Sequence, residues 1–278
     1  MIDLHIHSTY SDGTCTPKEI VNKVIEKNLY GFSLTDHDTV DGIPKILAMD
    51  VPDDLLFIPG IEISCDALNR EIHILGYGID WKNKALNKTL NNLREKRLNR
   101  NLDMIKLFQK DGYPVTLEKL QHGDPDTVIT RAHFARVLIE EDICTSTDQA
   151  FSKYLGEKCK YYVPKPFFDP KDCINLILDA GGIAILAHPF LYKFSNEDTK
   201  NLILDLKEHG LAGIEIYHSS HHIGQITKLR KWQKEYGLLG SGGSDFHGSN
   251  KPDIQIGTGR GPLHVPDHLL DELFKALS

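Results

Sequence analysis

Gly181-Gly182-Ile183-Ala184-Ile185-Leu186-Ala187-His188-Pro189 contains a whole structural unit. The glycine pair stops a helix that Asp169-Pro170 opens and that runs through Leu178. Five apolar residues then form a short buried strand, and a histidine stands at its carboxyl end. The same order repeats to either side. Downstream, a helix over about Glu197–His209 precedes a strand Gly213–Tyr217, and a helix over Ile223–Tyr236 leads into Leu238-Leu239-Gly240. Upstream, Thr16-Pro17-Lys18-Glu19 supplies an N-cap, a proline at the first helical position and a glutamate three residues after the cap. Ile20, Val21, Val24 and Ile25 form that helix's apolar stripe, and Gly31-Phe32-Ser33-Leu34-Thr35 follows as a strand. Ile2–Ile6, Leu55–Ile63 and Glu71–Tyr77 read as three more. About seven short strands, most separated by helices, predict an α/β fold with parallel pairing, either an open doubly wound sheet or a barrel.

The middle of the chain differs. From about Trp81 to Cys159 the periodicity is helical, through Leu90, Leu93, Met104, Ile105 and Leu107, then Ala132–Glu141 and Asp148–Leu155. Arg94, Lys96, Arg97 and Arg100 make the polar side of the first of these helices basic. The economical organisation is a β/α domain in two parts, 1–80 and 161–278, with a helical insertion over 81–160.

Composition limits the function classes. Hydrophobic residues make up 40% of the 278 and charged residues 26%, which is globular composition with enough apolar material for a core. Mean hydropathy is -0.30 and no long uncharged apolar run is present, so no membrane-spanning helix is expected. The start Met1-Ile2-Asp3-Leu4-His5 shows no basic leader, and a cytoplasmic location is the expectation. Cys15, Cys65, Cys144, Cys159 and Cys173 are scattered and odd in number, which predicts free thiols in a reducing compartment. A net charge of -7 argues against sequence-blind duplex binding. It leaves room for a small anionic substrate, because a bound metal or a few local Arg and Lys reverse the field inside a cleft.

The 14 histidines stand out. His5 and His7 lie two apart on a strand, so both rings face one side. Asp12, in Ser11-Asp12-Gly13, is by itself an ordinary turn residue. Asp36-His37-Asp38 closes a strand with three titratable groups that are expensive to bury alone; His37 is a candidate metal ligand, with Asp36 or Asp38 orienting its ring. Glu62 stands between Ile61 and Ile63, and His73 between Ile72 and Ile74. His188 ends the strand quoted first, and Asp245 and His247 follow another in Gly243-Ser244-Asp245-Phe246-His247. Singly, each reads as readily as a structural residue. Jointly, six histidines and three carboxylates fall at or near the carboxyl ends of successive strands, where β/α folds assemble their sites. A His/Asp/Glu set without cysteine suits zinc, manganese or iron, and nine donors exceed the needs of one tetrahedral ion. Shared carboxylates would hold two or three divalent ions.

In order along the chain, Asp3-Leu4-His5-Ile6-His7-Ser8, Ser11-Asp12-Gly13, Leu34-Thr35-Asp36-His37-Asp38, Pro59-Gly60-Ile61-Glu62, Ile72-His73-Ile74-Leu75-Gly76, Leu186-Ala187-His188-Pro189 and Gly243-Ser244-Asp245-Phe246-His247 resemble the PHP (polymerase and histidinol phosphatase) superfamily. The resemblance extends over nearly the whole chain and is greatest to the branch with a helical insertion, which includes 3',5'-nucleoside bisphosphate phosphatases and 5'-3' exoribonucleases. Thr130-Arg131-Ala132-His133 and Tyr162-Val163-Pro164-Lys165 also look similar to that branch. The resemblance implies a distorted seven-stranded (β/α) barrel and a trinuclear site. His5, His7, Glu62 and Asp245 would hold a first ion, Glu62 would bridge to a second with His73 and His188, and Asp12, His37 and His247 would hold a third. Asp245, His247 and His37 would thereby serve as catalytic residues.

The expected activity is metal-dependent hydrolysis of a phosphomonoester on a small nucleotide, a 3',5'-nucleoside bisphosphate or a nucleoside monophosphate, by water that the ions activate to hydroxide. No protein nucleophile is then required, no membrane or obligate protein partner is expected, and the inserted helices would roof the cleft. Arg131 is the candidate phosphate clamp, since a guanidinium grips phosphate through two parallel bonds. Lys165, His218 and His222 are further substrate-binding candidates, with His221 read as surface. One alternative is a 5'-3' exoribonuclease acting on short RNA by the same chemistry. Another is a metal-stabilised scaffold without catalysis, against which the intact set of ligand types weighs.

Overall fold

Helix α1 (Pro17–Glu26) starts as its sequence asks. Glu19 N–H donates to Thr16 Oγ1 at 3.3 Å, Thr16 N–H donates to the Glu19 carboxylate at 2.7 Å, and Ile20, Val21 and Val24 are buried. The computed structural model describes residues 1–164 and 168–278. Its strands are β1 (Ile2–Asp3), β2 (Gly31–Phe32), β3 (Leu56–Phe57), β4 (Gly60–Ala67), β5 (Arg70–Tyr77), β6 (Ile183–Leu186), β7 (Gly213–His218) and β8 (Leu239–Gly243). The helices after α1 are α2 (Ile43–Leu47), α3 (Lys84–Lys110), α4 (Leu117–Gln121), α5 (Arg131–Glu140), α6 (Thr147–Ala150), continued by a π turn over Phe151–Leu155, α7 (Pro170–Asp179), α8 (Asn196–Glu208), α9 (Ile223–Tyr236) and α10 (His268–Leu277). No helix among the described residues is long and apolar enough to cross a membrane.

The strands form two ladders, β1-β2-β3 and β4-β5-β6-β7-β8. Their edges meet. Ile6 bridges Phe246 and His37 bridges Glu62, both in parallel sense, with Leu4 N–H donating to Gly242 O at 3.1 Å and Asp38 N–H to Glu62 O at 2.9 Å. Parallel pairing holds for β1–β2, β2–β3, β6–β7 and β7–β8, but β5 is antiparallel to both β4 and β6. The cause is local. Only Leu68 and Asn69 separate β4 from β5, both with positive φ (50° and 59°), and a connection that short makes a hairpin, never a crossover. The single strand expected over Leu55–Ile63 is also divided: Leu56–Phe57 pairs with β2, and the chain turns at Pro59-Gly60 into the second ladder. A Cβ on Gly60 would stand 2.2 Å from Ser33 Oγ, so only glycine lets the two segments pass.

Apolar residues pack in separate clusters: Ile2, Leu4, Leu75, Tyr77 and Ile185 bring residues of both ladders into one, and Ile63, Ile74, Ile177 and Ile203 belong to another. The helical middle has its own cluster around Met104, Phe108, Phe134 and Leu138. Arg97 and Arg100 depart from the expectation of a solvated basic face and are buried. The physical reason is spacing. Leu90, Arg97, Arg100, Met104 and Phe108 recur three, four or seven residues apart, so both arginines stand on the buried stripe of α3.

Candidate metal centre

Every one of the nine histidine and carboxylate candidates reaches one end of the strands, by different routes. His5 and His7 leave β1 flanking Ile6, whose bridge to Phe246 fixes both. Glu62 lies near the start of β4, its N–H donating to Asp36 O at 3.2 Å. His73 comes from the first half of β5 instead of a carboxyl end; because β5 runs backwards, its amino half lies at the end where its parallel neighbours finish. His188 and Asp245 follow β6 and β8 with φ of 25° and 59°, left-handed conformations that cost a residue with a side chain energy and concentrate at functional sites.

The side chains converge on Glu62. Its Oε2 lies 3.3 Å from His5 Nε2, 3.3 Å from His7 Nε2 and 3.1 Å from His37 Nδ1, and its Oε1 lies 2.8 Å from His73 Nδ1 and 3.0 Å from His188 Nε2. Asp245 Oδ1 is 3.4 Å from His7 Nε2, and Asp12 Oδ1 is 3.1 Å from His247 Nε2. Four groups have ligand atoms within 4.8 Å of one another: His7, Asp12, His37 and His247; His5, His7 and Asp245; His5, Glu62 and His188; and His37, Glu62 and His73. His37 thus stands between the group of Asp12 and that of Glu62.

The charges call for cations. Burial works against ionising the carboxylates, yet His247 and His37 hold Asp12, His37 and His73 hold Glu62, and Lys251 and His247 hold Asp245 well below the usual carboxylate range. The imidazoles are divided. Burial opposes protonation of His7 and His73, but Asp245 and Glu62 lift His7, and Glu62 lifts His73, to about 9. Burial wins at His37, pushed down to about 3, and at His188, pushed down to about 4. Asp12 Oδ1, His37 Nδ1 and His188 Nδ1 are buried without a hydrogen bond. Three ionised carboxylates beside protonated His7 and His73 and neutral His37 and His188, with polar atoms left over, fit several divalent ions that would take the place of the imidazole protons, and the lack of thiolate argues against a soft-metal preference.

Around this centre the structure adds residues that the sequence reading passed over. Glu215 is fully buried; it accepts from His5 Nδ1 at 3.0 Å and from His188 N–H at 2.7 Å, so it fixes one ring and one backbone. Burial opposes its ionisation, but His5 holds its carboxyl down to about 2. It had a signal, an acid between Ile214 and Ile216, the same pattern that drew attention to Glu62. Asp36 accepts from the hydroxyls of Ser8 and Ser11, both at 2.6 Å, and Asp38 pairs with Arg97 and accepts from Ser64 N–H.

Of the substrate-binding candidates, Arg131 lines a cavity of about 480 Å³ directly above the cluster. Its Nη2 lies 2.9 Å from Glu71 and its guanidinium rests over the rings of Phe151 and Tyr162. Arg97, Arg100 and Lys251 share that wall. His218 is buried and is not among the residues that line the cavity; its Nδ1 accepts from Ser220 N–H, and its Nε2–H faces Asp245 Oδ2 at 3.3 Å. His222 is exposed at the start of α9 and does not line the cavity, whereas His221, read as surface, is buried with Nδ1–H donating to Ile216 O at 3.0 Å. Lys165 lies outside the described residues.

The PHP domain family model matches residues 3–155. A 5'-3' exoribonuclease of Haemophilus influenzae is 36% identical over 247 residues, which cover 88% of this chain and 89% of that protein. A 3',5'-nucleoside bisphosphate phosphatase of Chromobacterium violaceum is 32% identical over 257 residues, 92% of this chain and 90% of that one. A solved structure of an amidohydrolase from Chromobacterium violaceum, with sulfate bound, superposes with a TM-score of 0.87 at 31% identity, over 99% of this chain and 96% of that chain.

Proposed function

The chain belongs to the PHP family and is a metal-dependent phosphoesterase, and from that premise we propose that it removes one phosphate from a small nucleotide that carries two, a 3',5'-nucleoside bisphosphate. The observation that carries this reading is Arg100. Its guanidinium is buried in the cavity wall, Nε donating to Val163 O and Nη1 to Asn101 Oδ1, and it forms no ion pair with a carboxylate among the described residues. Burial, with Arg97 and Arg131 beside it, pulls its pKa down to about 10 against the attraction of Glu71, which pairs with Arg131. An acidic, metal-binding floor and an arginine-rich wall face each other across one cavity, which suits a substrate with two phosphate groups.

In this reading His5, His7, Glu62 and Asp245 hold one ion, Glu62, His73 and His188 a second, and Asp12, His37 and His247 a third, with manganese, zinc or iron all suited to the donors. When bound, such ions supply Lewis acidity and a nucleophilic water at neutral pH. The chain's own part is positioning. Arg100 and Arg131 grip the phosphate that is not cleaved, Glu215 and His218 hold His5 and Asp245 in place, and α3, α5 and the π turn cover the cavity and limit its water. No protein nucleophile is assigned. The edge bridges support a distorted barrel for the strands, and the separate core around Phe108 supports a helical insertion over 81–160. The five free cysteines suit a reducing compartment, and the cytoplasm is the place assigned.

A second reading, hydrolysis of short RNA from its 5' end, is favoured by the identity to the Haemophilus influenzae exoribonuclease. Manganese-loaded protein, offered a 3',5'-bisphosphate, a 5'-monophosphate and a short RNA, separates the two. Inorganic phosphate released fastest from the bisphosphate supports the proposal. Mononucleotides released from RNA at a higher kcat/KM would replace it with the second reading.

A further inference from the structure

We propose that Thr130 is a positioning residue of the metal centre, its hydroxyl aiming Asp12 at the third ion while it caps the helix that carries Arg131. The inference rests on the reading that Asp12, His37 and His247 hold an ion. Asp12 lies in a Ser-Asp-Gly turn, a place where a carboxylate ordinarily swings in solvent. Here Thr130 Oγ1–H donates to Asp12 Oδ2 at 2.8 Å, across 118 residues of sequence. The same Oγ1 accepts from Ala132 N–H at 3.1 Å, and Thr130 N–H donates to His133 Nδ1 at 3.0 Å, so the side chain is fixed at the N-cap of α5.

With Oδ2 engaged by the hydroxyl, Oδ1 is the oxygen turned to His247 and left without a hydrogen bond. Thr130 thereby fixes the rotation of the carboxylate, leaving Oδ1 toward His247 and Oδ2 on the side of His37, 3.8 Å from its Nε2. Two neighbours lace the same segment to the same loop: Val128 N–H donates to Tyr10 O at 3.0 Å and Thr127 Oγ1–H to Ser11 O at 2.7 Å. Asn250 Nδ2–H donates to Asp12 O at 2.7 Å from the other side. Thr127 and Thr130 therefore differ in kind. Thr127 holds a backbone carbonyl, and Thr130 holds the ligand.

The test counts metal, independently of any substrate. Chelator-stripped protein is reloaded with Mn²⁺, desalted, analysed for bound manganese and titrated. Thr130→Val is expected to bind one ion fewer than the wild type, or to bind its weakest ion about 10- to 100-fold less tightly. Thr130→Gly gives the same loss while keeping most of the helix cap, since glycine is well tolerated at that position, and it reads out the proposal if the valine variant misfolds. Thr130→Ser restores the wild-type count. Thr127→Val lowers the melting temperature but leaves the count unchanged. Wild-type count and affinity in Thr130→Gly would overturn the proposal, as would an equal metal loss in Thr127→Val. An unchanged count in Asp12→Ala would overturn the assignment of the third ion itself.

Discussion

The floor and the wall of the cavity are built by opposite rules. The floor takes its ligands from positions between His5 and His247, and most are placed by strand register: Ile6 on Phe246, His37 on Glu62, Ser64 on His73. The wall's arginines come from one stretch, Arg97 and Arg100 placed by the periodicity of α3 and Arg131 at the start of α5, over a separate apolar cluster. Acids and imidazoles on short strands make a cage whose spacing is set by hydrogen-bond ladders, which deform little. Guanidiniums on helices make a surface of a different kind, tied to the cage at two points, where Thr130 bonds Asp12 and Arg97 bonds Asp38. Floor and wall are therefore separately built but joined.

Asp245→Ala breaks the comparison hardest. Loss of a carboxylate that lies within 3.4 Å of His7 and is held by His218 and Lys251 should deplete bound metal and lower turnover at least about 1000-fold, as expected when the ions carry the reaction. Elemental analysis and phosphate release check it, and an unchanged rate would mean that the floor is not the reacting centre. Arg100→Ala should spare the metal. Removing a charged hydrogen-bond donor worth about 1.5–3 kcal/mol should raise KM for a bisphosphate about 10- to 100-fold with a much smaller change in kcat, and leave a monophosphate nearly unaffected. Equal losses on both substrates would remove the division between floor and wall.

The smallest effect concerns pH and belongs to the floor alone. In metal-stripped protein His7 and His73 stand at about 9, above the 6.5 or so of a free imidazole, so the stability they contribute is complete below pH 6.5 and is lost as pH rises through 9. His37 and His188, at about 3 and 4, work the other way: the unfolded chain takes up their protons first, and stability falls as pH drops below 6.5. Melting temperature of the stripped protein should peak near pH 6.5 and fall by a few degrees on either side, and manganese should flatten the alkaline side, since bound imidazoles are already deprotonated. A stripped protein equally stable at pH 6.5 and pH 9 would contradict the charge pattern of the floor.

The floor was more legible in the sequence than the wall, for a physical reason. A charged group inside an apolar strand is conspicuous, as at Glu62 and His73, because burial there is costly without a partner. Glu215 carried the same signature and was overlooked beside His218. Arg97 and Arg100 gave no such contrast: a mixed helix with many basic residues reads as solvated, and only the packing of α3 shows which side is turned inward. The reversal of β5 was hidden in a hairpin turn, Leu68-Asn69, that has no glycine to announce it. His222 was favoured over His221 from sequence, yet the buried ring is that of His221, a distinction that depends on how α9 begins.

The bridge between Ile6 and Phe246 has a consequence for the life of the chain before it is an enzyme. Translation delivers His5 and His7 well before Asp245 and His247, so the cage cannot close until the chain between them has been made. Full metallation must wait until Asp245 and His247 have been made, and nascent chains cut short before Asp245 would carry an incomplete set of ligands.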